Sequence, residues 1–179
     1  MEYRNDNNEK YVLEEMIPST TISQTVERIA GEIESTYEQV HLVGLLKGSF
    51  VFVADLMRTL KIPLTVDFMA VSSYVGTKSS GEIKILKELN EPIFDRDVLI
   101  IEDIVDTGLT LYETIELLNT RDPKQLKVCA LLDKHERREK EIEVAYTGIQ
   151  IPDEFIVGYG IDYEQRHREV DGIYKVKFI

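Results

Sequence analysis

The apolar positions fall into short runs whose period changes along the chain. Ile22, Val26, Ile29, Ala30 and Ile33 recur every three or four residues behind a Ser/Thr-rich lead-in, which predicts an amphipathic helix. "VHLVGLL" (40–46) is continuous enough for a strand covered on both faces. Phe50, Val53, Met57 and Leu60 return to helical spacing until the Pro63 region, and "LTVDFMAVSSY" (64–74) is strand-like again. "DVLIIE" (97–102) predicts a third buried strand, and Leu111, Tyr112, Ile115 and Leu118 give another helical face. The "RDP" turn then leads into "QLKVCALLD" (125–133), a fourth strand, and "FIVGYGID" (155–162) predicts a fifth. Strands alternating with helices imply right-handed crossovers and an α/β fold: an open, mostly parallel sheet flanked by helices.

Composition narrows the partners. The 179 residues, 43% hydrophobic and 30% charged, suit one globular domain with a substantial core. With 21 basic and 33 acidic residues the net charge is −12, which argues against broad contact with nucleic acid or anionic membranes. The single cysteine, Cys129, lies in the apolar run "VCALL" and reads as a core thiol, so no internal disulfide can form. The polar start "MEYRNDNNEKYV" has no apolar signal region, and a cytoplasmic location is the expectation.

In open α/β sheets ligands bind beyond the carboxyl ends of the strands. Four polar stretches occupy such places: "KGS" (47–49), "EDIVDTGLT" (102–110), "DKHERR" (133–138) and "DYEQRHR" (162–168). In the second, Gly108 gives the freedom to turn from strand to helix, and Thr107, Gly108, Leu109 and Thr110 present amides and hydroxyls at a helix N-terminus, a phosphate cradle. Glu102 and Asp103 are neighbouring carboxylates, suited to vicinal hydroxyls or a hydrated cation. A sugar phosphate meets both needs. Asp106, just before the turn, would lie beside the ring as a general base. The bland alternative is a capped helix and a solvated loop.

"VLIIEDIVDTGLT" resembles the phosphoribosyl diphosphate signature of the type I phosphoribosyltransferases, and residues 10–179 resemble the branch acting on hypoxanthine and guanine. The resemblance implies that family's fold over 1–179 as one domain, with a small hood built by the C-terminal part and the N-terminal segment. It implies transfer of the phosphoribosyl group from phosphoribosyl diphosphate to hypoxanthine or guanine, giving inosine or guanosine monophosphate (IMP or GMP) and pyrophosphate. By position, Lys47 and Gly48 match the pyrophosphate loop, with a cis peptide after Leu46, and Ser73 and Tyr74 match the ligand-contacting pair of a loop that closes over the site. Lys134 matches the lysine that donates to the purine 6-oxo group. Phe155 matches the residue that stacks on the base, and Ile156 the one whose backbone reads its edge. Glu102, Asp103 and Asp162 match carboxylates that bind Mg²⁺, and Arg168 an arginine on pyrophosphate.

"HERREKE" (135–141) reads as a solvated charged face, and His41, His135 and His167 have no shared spacing that suggests a metal site. The family's usual homodimers or homotetramers are expected here too. Two other functions stay open on the sequence: a phosphoribosyltransferase for another base, and a phosphoribosyl diphosphate sensor that regulates by binding nucleic acid. The second needs a basic face that this chain lacks.

Overall fold

The computed structural model describes residues 1–73 and 83–179. Five parallel strands and one antiparallel strand form the larger sheet. They are β3 (Val40–Leu46), β4 (Leu64–Ser73), β5 (Ile83–Lys87), β6 (Asp97–Val105), β7 (Gln125–Asp133) and β8 (Val144–Gln150), in the order β5-β4-β3-β6-β7-β8. Only β5 runs antiparallel, paired to β4. The helices α1 (Ser19–Glu34) and α2 (Phe50–Thr59) cover one face, and α3 (Leu109–Asn119) covers the other. Alternate residues of the central strands therefore feed two separate cores. Leu42, Leu99, Ile101 and Cys129 join α1 and α2, while Val43, Leu45, Ile100 and Ala130 join α3. Burial on both faces is why β3 and β6 read as unbroken apolar runs rather than as alternation.

A second, antiparallel sheet packs β1 (Glu2–Arg4), β2 (Lys10–Ile17), β10 (Ile173–Phe178) and β9 (Ile156–Val157) in the order β1-β2-β10-β9. It joins the start of the chain to its end, with Tyr11, Val157 and Val176 as a small core of its own.

Two expectations are corrected. "FIVGYGID" is not a fifth strand of the main sheet: only Ile156 and Val157 are extended, and they pair with β10. Left-handed backbone at Gly158 (φ 104°), Tyr159 (φ 50°) and Gly160 (φ 99°) turns the chain out of the strand. The place is taken by β8, whose half-buried alternation carries a weaker signal. On α2 the inward face is Phe52, Val53 and Leu56, whereas Phe50 and Met57 are 41% and 39% exposed. Phe50 and Met57, seven residues apart, share a face about 100° round the helix from that stripe.

The order of the strands sets where ligands gather. From β3 the chain crosses to β4 on one side and later to β6 on the other, so the crevice beyond β3 and β6 is the topological switch point. Leu46 to Ser49 leave β3 there, and Glu102 to Gly108 leave β6 there.

Candidate active site

The crevice has two ends. At one, the Leu46–Lys47 peptide is cis, as the resemblance implies, and the loop lies against β6 so closely that a Cβ at Gly48 would stand 2.5 Å from Asp103 Cγ. From the other side Gly160 packs its backbone on the carbonyl of Gly48, leaving no room for a side chain. Arg168 Nη1 donates to the Gly160 carbonyl at 2.7 Å, and its Nη2 pairs with Asp162 Oδ1 at 2.6 Å. Lys47 Nζ donates to Gln165 Oε1 at 3.1 Å. Lys47, Gly48, Asp103, Asp162 and Arg168, drawn from three distant parts of the chain, thus share one corner. Asp162 is already occupied by Arg168 and by the amide of Gln165, which donates to its Oδ2 at 2.8 Å.

Along β6, burial raises the pKa of both Glu102 and Asp103, and the Asp103 carboxylate pushes Glu102 further, while the Arg168 charge opposes the shift at Asp103. Two adjacent acids held short of positive charge suit a cation. Among the described residues no three His, Cys, Asp or Glu side chains converge as a metal cage. An ion held here would take two carboxylates and complete its shell with water and ligand oxygens, the habit of Mg²⁺ rather than of Zn²⁺.

The turn after β6 is built for an anion. Gly108 takes φ 81°, α3 begins at Leu109 without a side-chain cap, and its first-turn amides have no acceptor within the helix. Arg138 fixes this turn, donating from Nη1 to the Asp106 carbonyl at 2.9 Å and pairing through Nη2 with Asp133. The amides of Glu139 and Lys140 donate to the Thr107 carbonyl at 2.9 and 3.2 Å.

At the other end stand Asp106 and Lys134. The Lys134 side chain is 8% exposed, and its backbone amide donates to the Val105 carbonyl at 2.9 Å, which ties the exits of β7 and β6 together. Its Nζ lies 3.4 Å from Asp153 Oδ1 and 4.0 Å from Asp106 Oδ2. Asp106 Oδ1 is covered yet accepts no hydrogen bond among the described residues; Arg137 Nε approaches to 3.2 Å without the alignment of one. A covered carboxylate oxygen with no donor is costly, and it is suited to a donor brought by a ligand. Phe155 leaves its ring 47% exposed, set edge-on to Tyr163 at 5.1 Å, and Ile156 is buried beside it.

Ser73 ends β4 and pairs with Ile83, while Tyr74 and the middle of the expected loop lie outside the described residues. The solvated reading of "HERREKE" fails for two residues: the Arg138 side chain is 6% exposed and locked, and Arg137 reaches Asp106 and Asp153. The only hint in the sequence was that this run follows a strand exit. His41 and His167 are buried structural residues, bonded to Thr65 Oγ1 at 2.7 Å and to the Tyr11 hydroxyl at 2.8 Å.

Residues 15–164 match the model of the phosphoribosyl transferase domain. The chain is 47% identical over 172 residues to the hypoxanthine phosphoribosyltransferase of Salmonella typhimurium, covering 93% of this chain and 97% of that one. It is 44% identical to the hypoxanthine-guanine phosphoribosyltransferase of Aquifex aeolicus, covering 90% and 93%. A solved hypoxanthine phosphoribosyltransferase from Staphylococcus aureus superposes with a TM-score of 0.88 at 42% identity, covering 92% and 91%. A crevice at the switch point, with its acids, its anion turn and its covered acceptor, is thus carried by a chain that belongs to the phosphoribosyltransferase family.

Proposed function

We infer that the protein is a hypoxanthine phosphoribosyltransferase of purine salvage, converting hypoxanthine, and guanine as a second base, to IMP or GMP with release of pyrophosphate. The observation that carries this reading is the covered Oδ1 of Asp106, which accepts no hydrogen bond among the described residues, beside the buried Lys134. An oxopurine complements the pair, bringing an imidazole N–H to Asp106 and a six-position acceptor to Lys134. Adenine would turn an amino donor toward the lysine.

The 5-phosphate of phosphoribosyl diphosphate sits on the amides and hydroxyls of Thr107, Gly108, Leu109 and Thr110, and Glu102 and Asp103 hold the ribose hydroxyls. Lys47, the Gly48 amide and Arg168 hold pyrophosphate. Phe155 stacks on the base, and the backbone of Ile156 reads its edge. Displacement at the anomeric carbon leaves positive charge on the ribose, which the carboxylates of β6 oppose. As the new bond to nitrogen forms, Asp106 accepts the ring proton. Glu102 and Asp103, joined by Asp162 once it is released from Arg168, would hold Mg²⁺, whose charge would make pyrophosphate a better leaving group.

The enzyme works in the cytoplasm as a homodimer or homotetramer, a reading supported by the exposed Phe50 and Met57 on α2. Among the described residues no helix is long and apolar enough to cross a membrane. The test is a spectrophotometric assay with phosphoribosyl diphosphate, Mg²⁺ and each of hypoxanthine, guanine, xanthine and adenine. Conversion of the first two with adenine inert is expected; turnover of adenine alone, or of none, refutes the reading.

A further inference from the structure

Asp106, Lys134, Asp153 and Arg137 form a closed ring of alternating charge. Lys134 Nζ stands 4.0 Å from Asp106 and 3.4 Å from Asp153. Arg137 completes the circuit with Nε 3.2 Å from Asp106 Oδ1 and Nη1 3.3 Å from Asp153 Oδ1. Both groups that would read a purine are therefore engaged by protein charges, and Arg137 stands at the very oxygen that accepts no aligned hydrogen bond among the described residues.

The four members differ in freedom. The Lys134 side chain is buried, whereas those of Arg137 and Asp153 are 44% and 54% exposed. The turn that carries Arg137 is held on either side, by the Lys134 amide on Val105 and by Arg138 on Asp133 and the Asp106 carbonyl. Its backbone is fixed, and its long side chain can leave. An ion pair this exposed is weak, so a ligand that brings a true hydrogen-bond donor to Asp106 can displace it.

We propose that Arg137 is the exchangeable occupant of the purine end, pairing with Asp106 and Asp153 when no base is bound and giving way as the purine enters. The ring N–H then donates to Asp106 Oδ1, and the 6-oxo group accepts a hydrogen bond from the Lys134 ammonium that had faced Asp153. Arg137 on this account is a positioning residue that competes with the substrate. The proposal rests on the roles assigned above to Asp106 and Lys134. It predicts that removing the guanidinium helps the base to bind, the opposite of what loss of a substrate contact or of a structural brace would do.

The test is steady-state kinetics of wild type and Arg137→Gln at saturating phosphoribosyl diphosphate and Mg²⁺, with hypoxanthine varied at low and high KCl. The KM for hypoxanthine is expected to fall about two- to fivefold in the variant, with kcat changed less than about twofold. Raising salt should lower the wild-type KM, because screening loosens the ring around a neutral substrate, and should leave the variant's KM unmoved. Arg137→Ala serves as a second variant and should behave alike. An unchanged or raised KM in both, or a kcat that falls with KM constant, overturns the proposal. Absence of hypoxanthine turnover in the wild type would instead overturn the parent assignment.

Discussion

Alanine at Gly48 tests how the pyrophosphate corner is held. Gly48 is not among the left-handed glycines, so the backbone accepts an L-residue, and the consequence is steric. The new Cβ would lie 2.5 Å from Asp103 Cγ, against the 3.4 Å at which ordinary contact begins. Either the carboxyl or the loop must yield by at least about 0.9 Å, since Asp103 Oδ2 lies nearer still than Cγ, and Gly160 closes the loop's retreat by resting on the Gly48 carbonyl. Asp103 is therefore the group that moves, away from the ribose and the cation it is proposed to hold. A misplacement of about 1 Å in such a site costs on the order of 10²-fold in rate. The assay is initial-rate kinetics with phosphoribosyl diphosphate and Mg²⁺ varied together, beside a thermal melt. A loss of about 10²-fold in kcat/KM for phosphoribosyl diphosphate is expected, with overpacking costing about 1–3 kcal/mol of stability at most. A folded Gly48→Ala enzyme within about threefold of wild type would refute the idea that this contact sets the geometry of the site.

Further outcomes follow from the same site and from one residue remote from it. Asp106→Asn should lower kcat by about 10²- to 10⁴-fold while phosphoribosyl diphosphate still binds, read by single-turnover rates and calorimetry; unchanged turnover would remove the general-base role. Lys134→Gln should cut kcat/KM for hypoxanthine by roughly 10- to 10²-fold, the worth of one charge-assisted hydrogen bond, and should narrow the gap to adenine in parallel assays. Burial, with the Arg96 charge adding to it, lowers the His41 pKa beneath its ordinary 6.5. The unfolded chain then binds a proton that the folded chain rejects, so this contribution is intact above pH 6.5 and is lost as pH falls toward the depressed value. Urea midpoints at pH 7.5 and 5.5 should therefore drop less in His41→Asn than in wild type, and equal drops would dismiss His41 as the cause.

The parts of the fold that sequence period reveals are those whose environment is uniform. β3, β6 and β7 are covered on both faces, so their runs stay apolar and their polar exits stand out at Lys47, Glu102 and Asp133. β2 and β10 could not be read this way. Each is half-buried, and they pair with one another, Ile17 with Ile173 and Leu13 with Val176, across nearly the whole chain. "FIVGYGID" misled because its apolar content is that of a strand, while Gly158 and Gly160, the residues that break it, also occur in strands.

At the site the same distinction holds. The acids of β6 were legible because three of them follow one strand and precede a glycine turn, a local pattern. Arg137 and Arg138 were not, since a run of charges looks solvated until its partners are known. Those partners are Asp133 at the end of β7, buried to 6% exposure, and Asp106 just past the end of β6, brought together by the parallel pairing of β6 and β7. A charged segment directly after a buried strand in such a sheet is therefore ambiguous by its nature. Its crevice-facing and water-facing residues interleave, so Lys134, Arg137 and Arg138 line or brace the crevice while His135, Glu136, Glu139 and Lys140 are exposed, the last two held by backbone bonds to Thr107.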